Sequence, residues 1–229
     1  MIRAVICDFG GVLTTPLLRS FMAFQDQTGI SGESLGKAML RILEREGAHP
    51  LHELEKGNTT EGEYLAKVAA ELREELDHTP EMVSFSAIFF DALDPNEPMI
   101  ETMRQAKAAG YRMAMLTNNV REWEPVWRAM LPVDEIFELV VDSAFVGMRK
   151  PEPEIYQLTL ARLREHDGDR LGDLKFGECL FIDDLEVNCV AARELGMEAI
   201  QFESNERALP AIRAKLGVTE PVETVTPGS

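Results

Sequence analysis

The stretch Arg3-Ala4-Val5-Ile6-Cys7-Asp8-Phe9-Gly10-Gly11-Val12 decides the fold that we expect for this chain. An apolar run that ends at an aspartate and two glycines is typical of a buried strand that stops in a tight turn. The glycines let the backbone turn sharply and bring its N–H groups close to a bound anion. Asp8 and its turn are therefore a candidate site, although an aspartate that only caps the turn is the alternative interpretation.

Three further apolar runs along the chain also lead into polar clusters. These clusters are Thr117-Asn118 after residues 112–116, Lys150-Pro151 in the loop after residues 137–141, and Asp183-Asp184 after residues 179–182. Helical patterns at 98–109, 153–165 and 185–195 separate the runs, and a last strand is expected at 198–202. Strands that alternate with helices predict βαβ units, so we expect an α/β core built on a parallel sheet.

The segment between Thr14 and about Asp94 follows a different pattern. Helical stretches dominate it at about 17–28, 35–46, 60–76 and 80–91, and residues 60–63 resemble a capping box. A helical block that leaves the carboxyl end of the first strand would lie over a site there, where a lid belongs. We therefore expect three parts, which are a core of residues 1–15 and 95–217, an α-helical cap of residues 16–94, and a flexible tail of residues 218–229.

The charge and composition of the chain limit the classes of molecule that it is expected to bind. The chain has 229 residues and a formal net charge of −17, which argues against nucleic acid but not against a small phosphorylated metabolite. No stretch approaches the ~18 apolar residues of a membrane span, and no signal-peptide pattern opens the chain. The three cysteines form no CxxC pair and are expected to be buried thiols. We expect a cytoplasmic monomer or homodimer without nucleic-acid or membrane partners.

Three of the polar clusters have the chemistry to hold and attack a phosphoryl group. In an open parallel sheet, ligands bind outside the carboxyl ends of the strands, where all four clusters are expected to meet. A carboxylate such as Asp8 can attack phosphorus, and an ammonium such as Lys150 would neutralise the charge that develops. Thr117 and Asn118 offer a hydroxyl and backbone N–H groups to phosphate oxygens. A strand cap at Thr117 and a solvated loop lysine are the structural alternatives, and Arg149 is expected to face solvent.

The fourth cluster has the chemistry of a cation site. Two adjacent carboxylates at the end of a buried strand, Asp183 and Asp184, repel each other unless a cation lies between them. Mg²⁺ needs a few oxygen ligands and water, and Asp8, a backbone carbonyl and one of these aspartates would supply them. Capping of the following helix is a compatible alternative, because aspartate stabilises a helix start.

Taken in this order, the four motifs resemble those of the haloacid dehalogenase superfamily. The resemblance covers about residues 1–205, and its cues are DFGGVL at 8–13, LTNN at 116–119, KPEPEIY at 150–156 and IDDLEVNCVAARELGM at 182–197. These cues are most similar to the group that contains the N-terminal phosphatase domain of soluble epoxide hydrolases. The resemblance implies a Rossmann-like, three-layer core with a helical cap inserted after the first strand.

The resemblance also implies roles for individual residues. It makes Asp8 the nucleophile and lets Thr117 and Lys150 hold the phosphoryl group, with Gly10, Gly11 and Asn118 in the same substrate site.

The implied metal site shares two of these residues. Mg²⁺ would be bound by the Asp8 carboxylate, the Gly10 carbonyl and Asp184, with Asp183 behind them or bound through water. The expected function is Mg²⁺-dependent hydrolysis of a small phosphate monoester through an aspartyl-phosphate.

One position departs from the family pattern. Family phosphatases usually carry a second aspartate two residues after the nucleophile, which protonates the leaving alcohol and then activates water, but this chain has Gly10 there. General acid–base catalysis is worth about 10²–10⁴-fold. Turnover is then slow and limited to good leaving groups, or another group transfers the proton, or the protein only binds phospho-ligands. A metal-independent, dehalogenase-type C–X hydrolase is a further alternative, which the acidic pair at 183–184 disfavours.

Aromatic and histidine side chains leave further alternatives open. Five phenylalanines of the helical segment either fill its core or line an entrance, and they are Phe21, Phe24, Phe85, Phe89 and Phe90. Trp123 and Trp127, four residues apart, either pack against the cap or form a dimer contact. The four histidines are all expected at the surface, and they are His49, His52, His78 and His166.

Overall fold

The computed structural model describes residues 1–76, 78, 80, 82, 85–166 and 172–219 of the chain. Within these residues the strands are β1 (Ala4–Cys7), β2 (Arg112–Thr117), β3 (Leu139–Asp142), β4 (Cys179–Asp183) and β5 (Glu198–Gln201). They form one parallel sheet in the order β3-β2-β1-β4-β5. The predicted α/β class and parallel sheet are confirmed, and β1 lies in the centre of the sheet.

Helices fill both faces of the sheet and the long segment between β1 and β2. The α-helices of the described chain are α1 (Leu18–Thr28), α2 (Gly32–Glu46), α3 (Pro50–Glu55), α4 (Glu61–Leu76), α5 (Phe85–Asp91), α6 (Glu97–Ala108), α7 (Glu124–Met130), α8 (Val133–Ile136), α9 (Ser143–Val146), α10 (Pro153–His166), α11 (Glu186–Glu194) and α12 (Asn205–Leu216).

Alternation of side chains along the strands produces the three layers. Val5 and Cys7 of β1 point into one apolar cluster, which α6 and α12 help to cover, whereas Ala4 and Ile6 point into the other, with α10 and α11. Every residue of β1 is buried. A strand that is apolar on both faces is expected only where helices cover the sheet on both sides. The apolar character of all four residues of β1 therefore indicates that helices cover both faces of the sheet.

Helices α1–α5 occupy the segment for which the sequence predicts a helical insertion. The chain enters and leaves this segment side by side, because Thr14 and Pro95 form an antiparallel bridge. The Thr15 N–H donates to the Asp94 carbonyl oxygen and the Asn96 N–H to the Leu13 carbonyl oxygen, each at 2.8 Å. α1 packs against α5, and α2 against α4. The division into a core, a cap of residues 16–94 and a tail remains a prediction, and residues 220–229 of that tail lie outside the described residues.

Several element predictions are confirmed and others need correction. The capping box exists at the start of α4, where the Glu63 N–H donates to Thr60 Oγ1 at 3.2 Å and the Thr60 N–H to Glu63 Oε2 at 2.9 Å. The helix expected at 80–91 begins at Phe85, and residues 81, 83 and 84 lie outside the described chain. Helices α3, α8, α9 and α12 were not predicted, and α7 was indicated only by the spacing of Trp123 and Trp127. All of them except α12 have seven residues or fewer, which is too short for apolar periodicity to show.

The aromatic side chains fill the helical segment and join it to the core. Four of the five phenylalanines are buried, and Phe21 is 39% exposed. The Trp123 ring lies 5.4–5.9 Å from the rings of Phe85, Phe89 and Phe90. Trp127 is fully buried, with its ring 5.4 Å from that of Phe9. The tryptophan pair therefore packs inside this molecule, as the first of its two interpretations predicts.

The buried thiols are confirmed, whereas the histidine prediction is half wrong. All three cysteines are buried and free. His78 and His166 are exposed as expected. His49 and His52 are half-buried and stack on each other with ring centroids 4.4 Å apart, because the short helix α3 packs them towards α9 and the core. No helix in the part of the chain that the structure describes has the length and apolar character to cross a bilayer.

Candidate active site

The parallel register brings three of the predicted clusters to one edge of the sheet. Cys7, the last residue of β1, lies level with Met115 of β2 and Ile182 of β4. Asp8 follows directly, and its N–H donates to the Ile182 carbonyl oxygen at 2.9 Å. Thr117 and Asp183 end the two neighbouring strands. The site therefore results from strand alignment, which places distant polar residues at the same height.

Lys150 joins the two central carboxylates. Its Nζ lies 2.7 Å from Asp8 Oδ1 and 2.7 Å from Asp183 Oδ2, and its side chain is 1% exposed. Burial alone would lower the pKa of Lys150, but the carboxylates of Asp183 and Asp8 outweigh it and raise that pKa. The lysine therefore carries its charge at neutral pH inside the protein. The alternative of a solvated loop lysine is wrong.

Asn118 holds the backbone of Lys150 rather than presenting a free side chain. Its Oδ1 accepts from the Lys150 N–H at 2.8 Å, and its Nδ2 donates to the Lys150 carbonyl oxygen at 3.0 Å. Two such bonds fix the strand end of β2 to the lysine loop. The side chain of Asn118 is therefore committed to positioning Lys150, and only its backbone remains for the substrate role that the sequence predicted.

Asp183 is fully buried, and both of its carboxylate oxygens have partners. Oδ2 pairs with Lys150, while Oδ1 accepts from the Leu185 N–H at 2.9 Å and from Asn188 Nδ2 at 2.8 Å. Asp183 thus anchors both the lysine and the turn into α11. Asn188 was not among the predicted site residues. The sequence marks it only as a polar residue in the first turns of the helix that follows the acidic pair.

The carboxylates of Asp8, Asp183 and Asp184 form the one cluster in the described chain that has the composition and spacing of a metal site. One ligand atom from each lies within 4.8 Å of the others. Burial raises the pKa of Asp8 well above its usual range, and the two neighbouring aspartates add to the shift. Burial and the adjacent Asp183 raise the pKa of Asp184 to about 6. Three carboxylates face one ammonium group, so the cluster carries an excess of negative charge. A hard divalent cation with oxygen ligands would balance this charge.

Gly11 shapes the turn against this cluster. Its φ is +73°, and a β-carbon on it would lie 2.6 Å from Asp184 Oδ2, so a side chain is excluded there. The Gly11 N–H donates to Thr14 Oγ1 at 3.1 Å, and the Phe9 N–H to Asp8 Oδ1 at 2.7 Å. The Gly11 amide is therefore already used within the turn, which removes it as an anion donor in this state.

Thr117 is 1% exposed at the end of β2, level with Asp142 of β3. It lies on the correct edge of the sheet, next to the residue that clamps Lys150. Its contact with a phosphoryl oxygen remains a prediction.

Two ion pairs connect α3 to the lysine loop, and sequence reasoning missed both. Arg149 Nε lies 2.6 Å from Glu55 Oε2, with the two side chains 16% and 15% exposed. Lys56 Nζ lies 2.5 Å from Glu152 Oε1. The prediction that Arg149 faces solvent is therefore wrong, because a carboxylate from the helical segment covers it. The sequence shows Glu55-Lys56 in one segment and Arg149 and Glu152 in another. These opposite charges indicate ion pairs only when the two segments are known to lie together.

Comparison with known proteins places the chain in a family. The family model described as haloacid dehalogenase-like hydrolase matches residues 2–196. The chain belongs to this family. It is a hydrolase, and the resemblance inferred from the four motifs is confirmed.

Relatives of this haloacid dehalogenase-like hydrolase include longer proteins. Mouse acyl-CoA dehydrogenase family member 10 is 31% identical over 94% of this chain and 19% of that protein. Rat bifunctional epoxide hydrolase 2 is 25% identical over 96% of this chain and 40% of that protein. The chain thus spans less than half the length of either relative. Glyceraldehyde 3-phosphate phosphatase of Pyrococcus abyssi is 33% identical over 41% of this chain and 36% of that protein.

A solved structure shows the same fold. The haloacid dehalogenase family enzyme BT-2542 of Bacteroides thetaiotaomicron, in complex with magnesium and inorganic phosphate, superposes with a TM-score of 0.56. The match covers 88% of this chain and 94% of that one at 22% identity. At this identity the likeness shows the Rossmann-like core fold of the hydrolase and nothing about its substrate.

Proposed function

We propose that this hydrolase releases inorganic phosphate from small phosphate monoesters in a Mg²⁺-dependent reaction, through an aspartyl-phosphate on Asp8. The observation that carries the proposal is the buried arrangement of Lys150 between Asp8 and Asp183, with Asp184 beside them. A relative named as a phosphatase supports the substrate class.

The contacts of Asp8 support its proposed role as the nucleophile. One of its oxygens accepts from Lys150 and from the Phe9 N–H, which orients the carboxylate at the end of β1. An oxygen of Asp8 would form the bond to phosphorus while the bond from phosphorus to the leaving oxygen breaks. Lys150, already charged, would balance the negative charge on the phosphoryl oxygens without a proton transfer.

Asp8 and Asp184, together with the Gly10 carbonyl, would hold the Mg²⁺ ion. Asp183 pairs with Lys150 and accepts from Leu185 and Asn188, so we expect it to lie behind the ion or to bind it through water. A bound Mg²⁺ supplies positive charge for the phosphoryl oxygens and offsets the repulsion between the carboxylates. Helices α1–α5 would form the cap over this site, and the expected setting is a cytoplasmic monomer or homodimer acting on a phosphorylated metabolite.

The test of the proposal is phosphate release from p-nitrophenyl phosphate with and without Mg²⁺. Asp8→Asn keeps the size of the side chain and removes the nucleophile, so we expect turnover to fall by at least about 10³-fold. Retained turnover in the variant would reject Asp8 as the nucleophile.

Gly10 favours a second candidate, a protein that binds phospho-ligands with little turnover. Cation-dependent binding of beryllium fluoride without release of phosphate would support it. Chloride release from 2-chloropropionate without metal would support the dehalogenase alternative instead.

A further inference from the structure

A cavity of about 230 Å³ lies at the open edge of the sheet. β3 is the outermost strand on this side, and within the described residues no strand pairs with its outer edge. Residues of β3, α7, α9 and α10 line the cavity, and none of them belongs to the candidate active site. The cavity has room for one small organic molecule in place of several waters.

The cavity reaches around the edge strand from one face of the sheet to the other. Val140 of β3 packs against the apolar cluster to which Trp127 of α7 also belongs, and Asp142, two residues further on, points to the same face. Arg162 belongs to α10, whose buried apolar residues lie in the cluster on the other face. Groups from two separate layers of the molecule therefore meet in one cavity.

Asp142, on the wall of this cavity, has a buried carboxylate oxygen without a partner. The residue is 6% exposed. Its Oδ1 accepts from the Ala144 N–H at 3.0 Å and so caps α9, whereas its Oδ2 accepts no hydrogen bond from the described residues. Burial raises the pKa of Asp142 to about 6, although the hydrogen bond from Ala144 opposes the shift. The carboxylate is therefore charged at pH 7, and an acceptor left without a donor inside a protein is costly.

Arg162 is a cation on the same wall without a counter-ion. It is half-buried, and its side chain makes no hydrogen bond or ion pair with any described residue. The other two charged residues of the wall neutralise each other, since Arg128 Nη1 lies 3.1 Å from Glu124 Oε1. The cavity thus holds one carboxylate, that of Asp142, and one guanidinium group that remain unpaired, and these two do not pair with each other.

Apolar side chains form the rest of the wall, and they are Val140, Phe145 and Val146. Phe145 is 50% exposed, and the guanidinium carbon of Arg121 lies 5.1 Å from the centre of its ring. Methylene groups gain free energy when such a wall covers them. The cavity therefore offers an anionic acceptor, a cationic donor and an apolar surface to a single ligand.

We propose that this cavity binds a small aliphatic amino acid as a zwitterion, whose ammonium group donates to Asp142 Oδ2 and whose carboxylate accepts from Arg162. A ligand with one charge would leave either the aspartate or the arginine uncompensated. A zwitterion with an aliphatic stem matches both charges and the apolar wall. This ligand is distinct from the phosphate monoester of the proposed function, and its site uses neither Asp8 nor the acidic cluster.

The test is an NMR titration of the ¹⁵N-labelled full chain at pH 7 with a series of ω-amino acids, from glycine to 6-aminohexanoate. The series finds the stem length that best spans the two charges. We expect saturable shifts of the amide signals of α9, with a dissociation constant of about 10 mM or lower for the tightest ligand. The alkylamine and the alkanoate of the same length each lack one charge, so each should bind at least about 10-fold more weakly.

Two variants assign the two ends of the ligand. D142N keeps an oxygen for the Ala144 N–H and removes the charge, so it should weaken the amino acid and the alkylamine by about 10-fold or more but leave the alkanoate unchanged. R162M should weaken the amino acid and the alkanoate by a similar factor and leave the alkylamine unchanged. D26N and R207M make the same changes of charge at exposed positions of α1 and α12, so both controls should bind like the wild type.

Three results would overturn the inference. Without saturable binding anywhere in the series, Asp142 would be only the cap of α9 beside a water-filled cavity. Equal affinity for the alkylamine and the amino acid would show a site for a cation alone. Unchanged affinity in R162M would remove the carboxylate end, and this variant keeps the test decisive if D142N does not fold. No phosphate ester enters the titration, so its result does not depend on the proposed phosphohydrolase activity.

Discussion

At the scale of single residues, Lys150 balances the charge of two carboxylates inside the protein. It is a fully buried cation whose two partners are themselves buried carboxylates. Charges removed from water are tolerated only when they are paired closely and hydrogen-bonded, because desolvation is costly. The residue that serves the proposed chemistry therefore also holds three strand ends together.

Lys150→Met should lower the free energy of unfolding by about 3–5 kcal/mol, since it leaves two buried carboxylates without their cation. Urea denaturation at pH 7 measures the effect. The variant Lys150→Met/Asp8→Asn/Asp183→Asn serves as the control and should recover much of the loss, because the two buried carboxylates that paired with Lys150 are then neutral as well. A loss below about 1 kcal/mol in the single variant would contradict the buried ion-pair network.

At the scale of elements, α3 links the helical segment to the lysine loop. Glu55 and Arg149 are each about 15% exposed, whereas Lys56 and Glu152 are 24% and 33% exposed. Gly57, just after α3, approaches the carbonyl oxygen of Ala144 so closely that a β-carbon would collide with it. The position of Lys150 therefore depends on a contact that reaches it from outside the sheet.

The two ion pairs offer a matched comparison. Arg149→Met strands a buried carboxylate and should cost about 2–4 kcal/mol, whereas Lys56→Met breaks a more exposed pair and should cost less than about 1 kcal/mol. Chemical denaturation of both variants checks the order. Equal costs would mean that the Glu55–Arg149 pair contributes no more than an ordinary surface pair.

The stacked histidines make α3 sensitive to pH. Burial lowers the pKa of His52 to about 4, and Arg149, His49 and Lys56 add to the shift while Glu152 opposes it. The unfolded chain takes up a proton near pH 6.5, but the folded protein does so only near pH 4, so stability is lost as the pH falls through this window.

His52→Gln removes this titration and leaves the acidic cluster of the site unchanged. We therefore expect the wild type to lose more free energy of unfolding than the variant between pH 7 and pH 5. Urea denaturation of both proteins at the two pH values measures the difference. The same loss in both would show that His52 is not desolvated by α3.

The sequence predicted the sheet because its strands are apolar runs with abrupt polar ends. Asp8, Lys150 and Asp183 follow such runs, and the structure brings these three together as expected. The contact of Glu55 with Arg149 joins residues that are 94 positions apart in the sequence. No local pattern records which helix face meets which loop, so packing of the insertion on the core had to be seen. The side-chain role of Asn118 was missed because no local pattern shows that it meets the backbone of Lys150, which lies 32 residues further along the chain.

At the scale of the whole molecule, the protein is acidic and its fold places the carboxylates of Asp8, Asp183 and Asp184 close together. The formal net charge of −17 adds to the local repulsion. A ligand that binds only the folded state stabilises it by mass action. A cation that binds the cluster of Asp8 and Asp184 should therefore stabilise the entire fold, not only the turn that holds it.

Mg²⁺ at 100 times its dissociation constant should add about 2.7 kcal/mol, which corresponds to a rise of about 5–10 °C in Tm for a chain of this size. Differential scanning fluorimetry with and without EDTA measures the shift. Asp184→Asn provides the control and should reduce it strongly. An equal rise in this variant would place the cation elsewhere.

The paired crossing at Leu13–Thr15 and Asp94–Asn96 has a consequence for how such proteins diversify. Because the two connections are hydrogen-bonded to each other, the inserted segment leaves and rejoins the core at one place. Changes in the length of this segment alter the loop-closure entropy only slowly and leave the strand order unchanged. Selection can therefore vary the inserted helices while the strand ends that carry Asp8, Thr117 and Asp183 stay aligned, provided that the contact of Glu55 with Arg149 is kept.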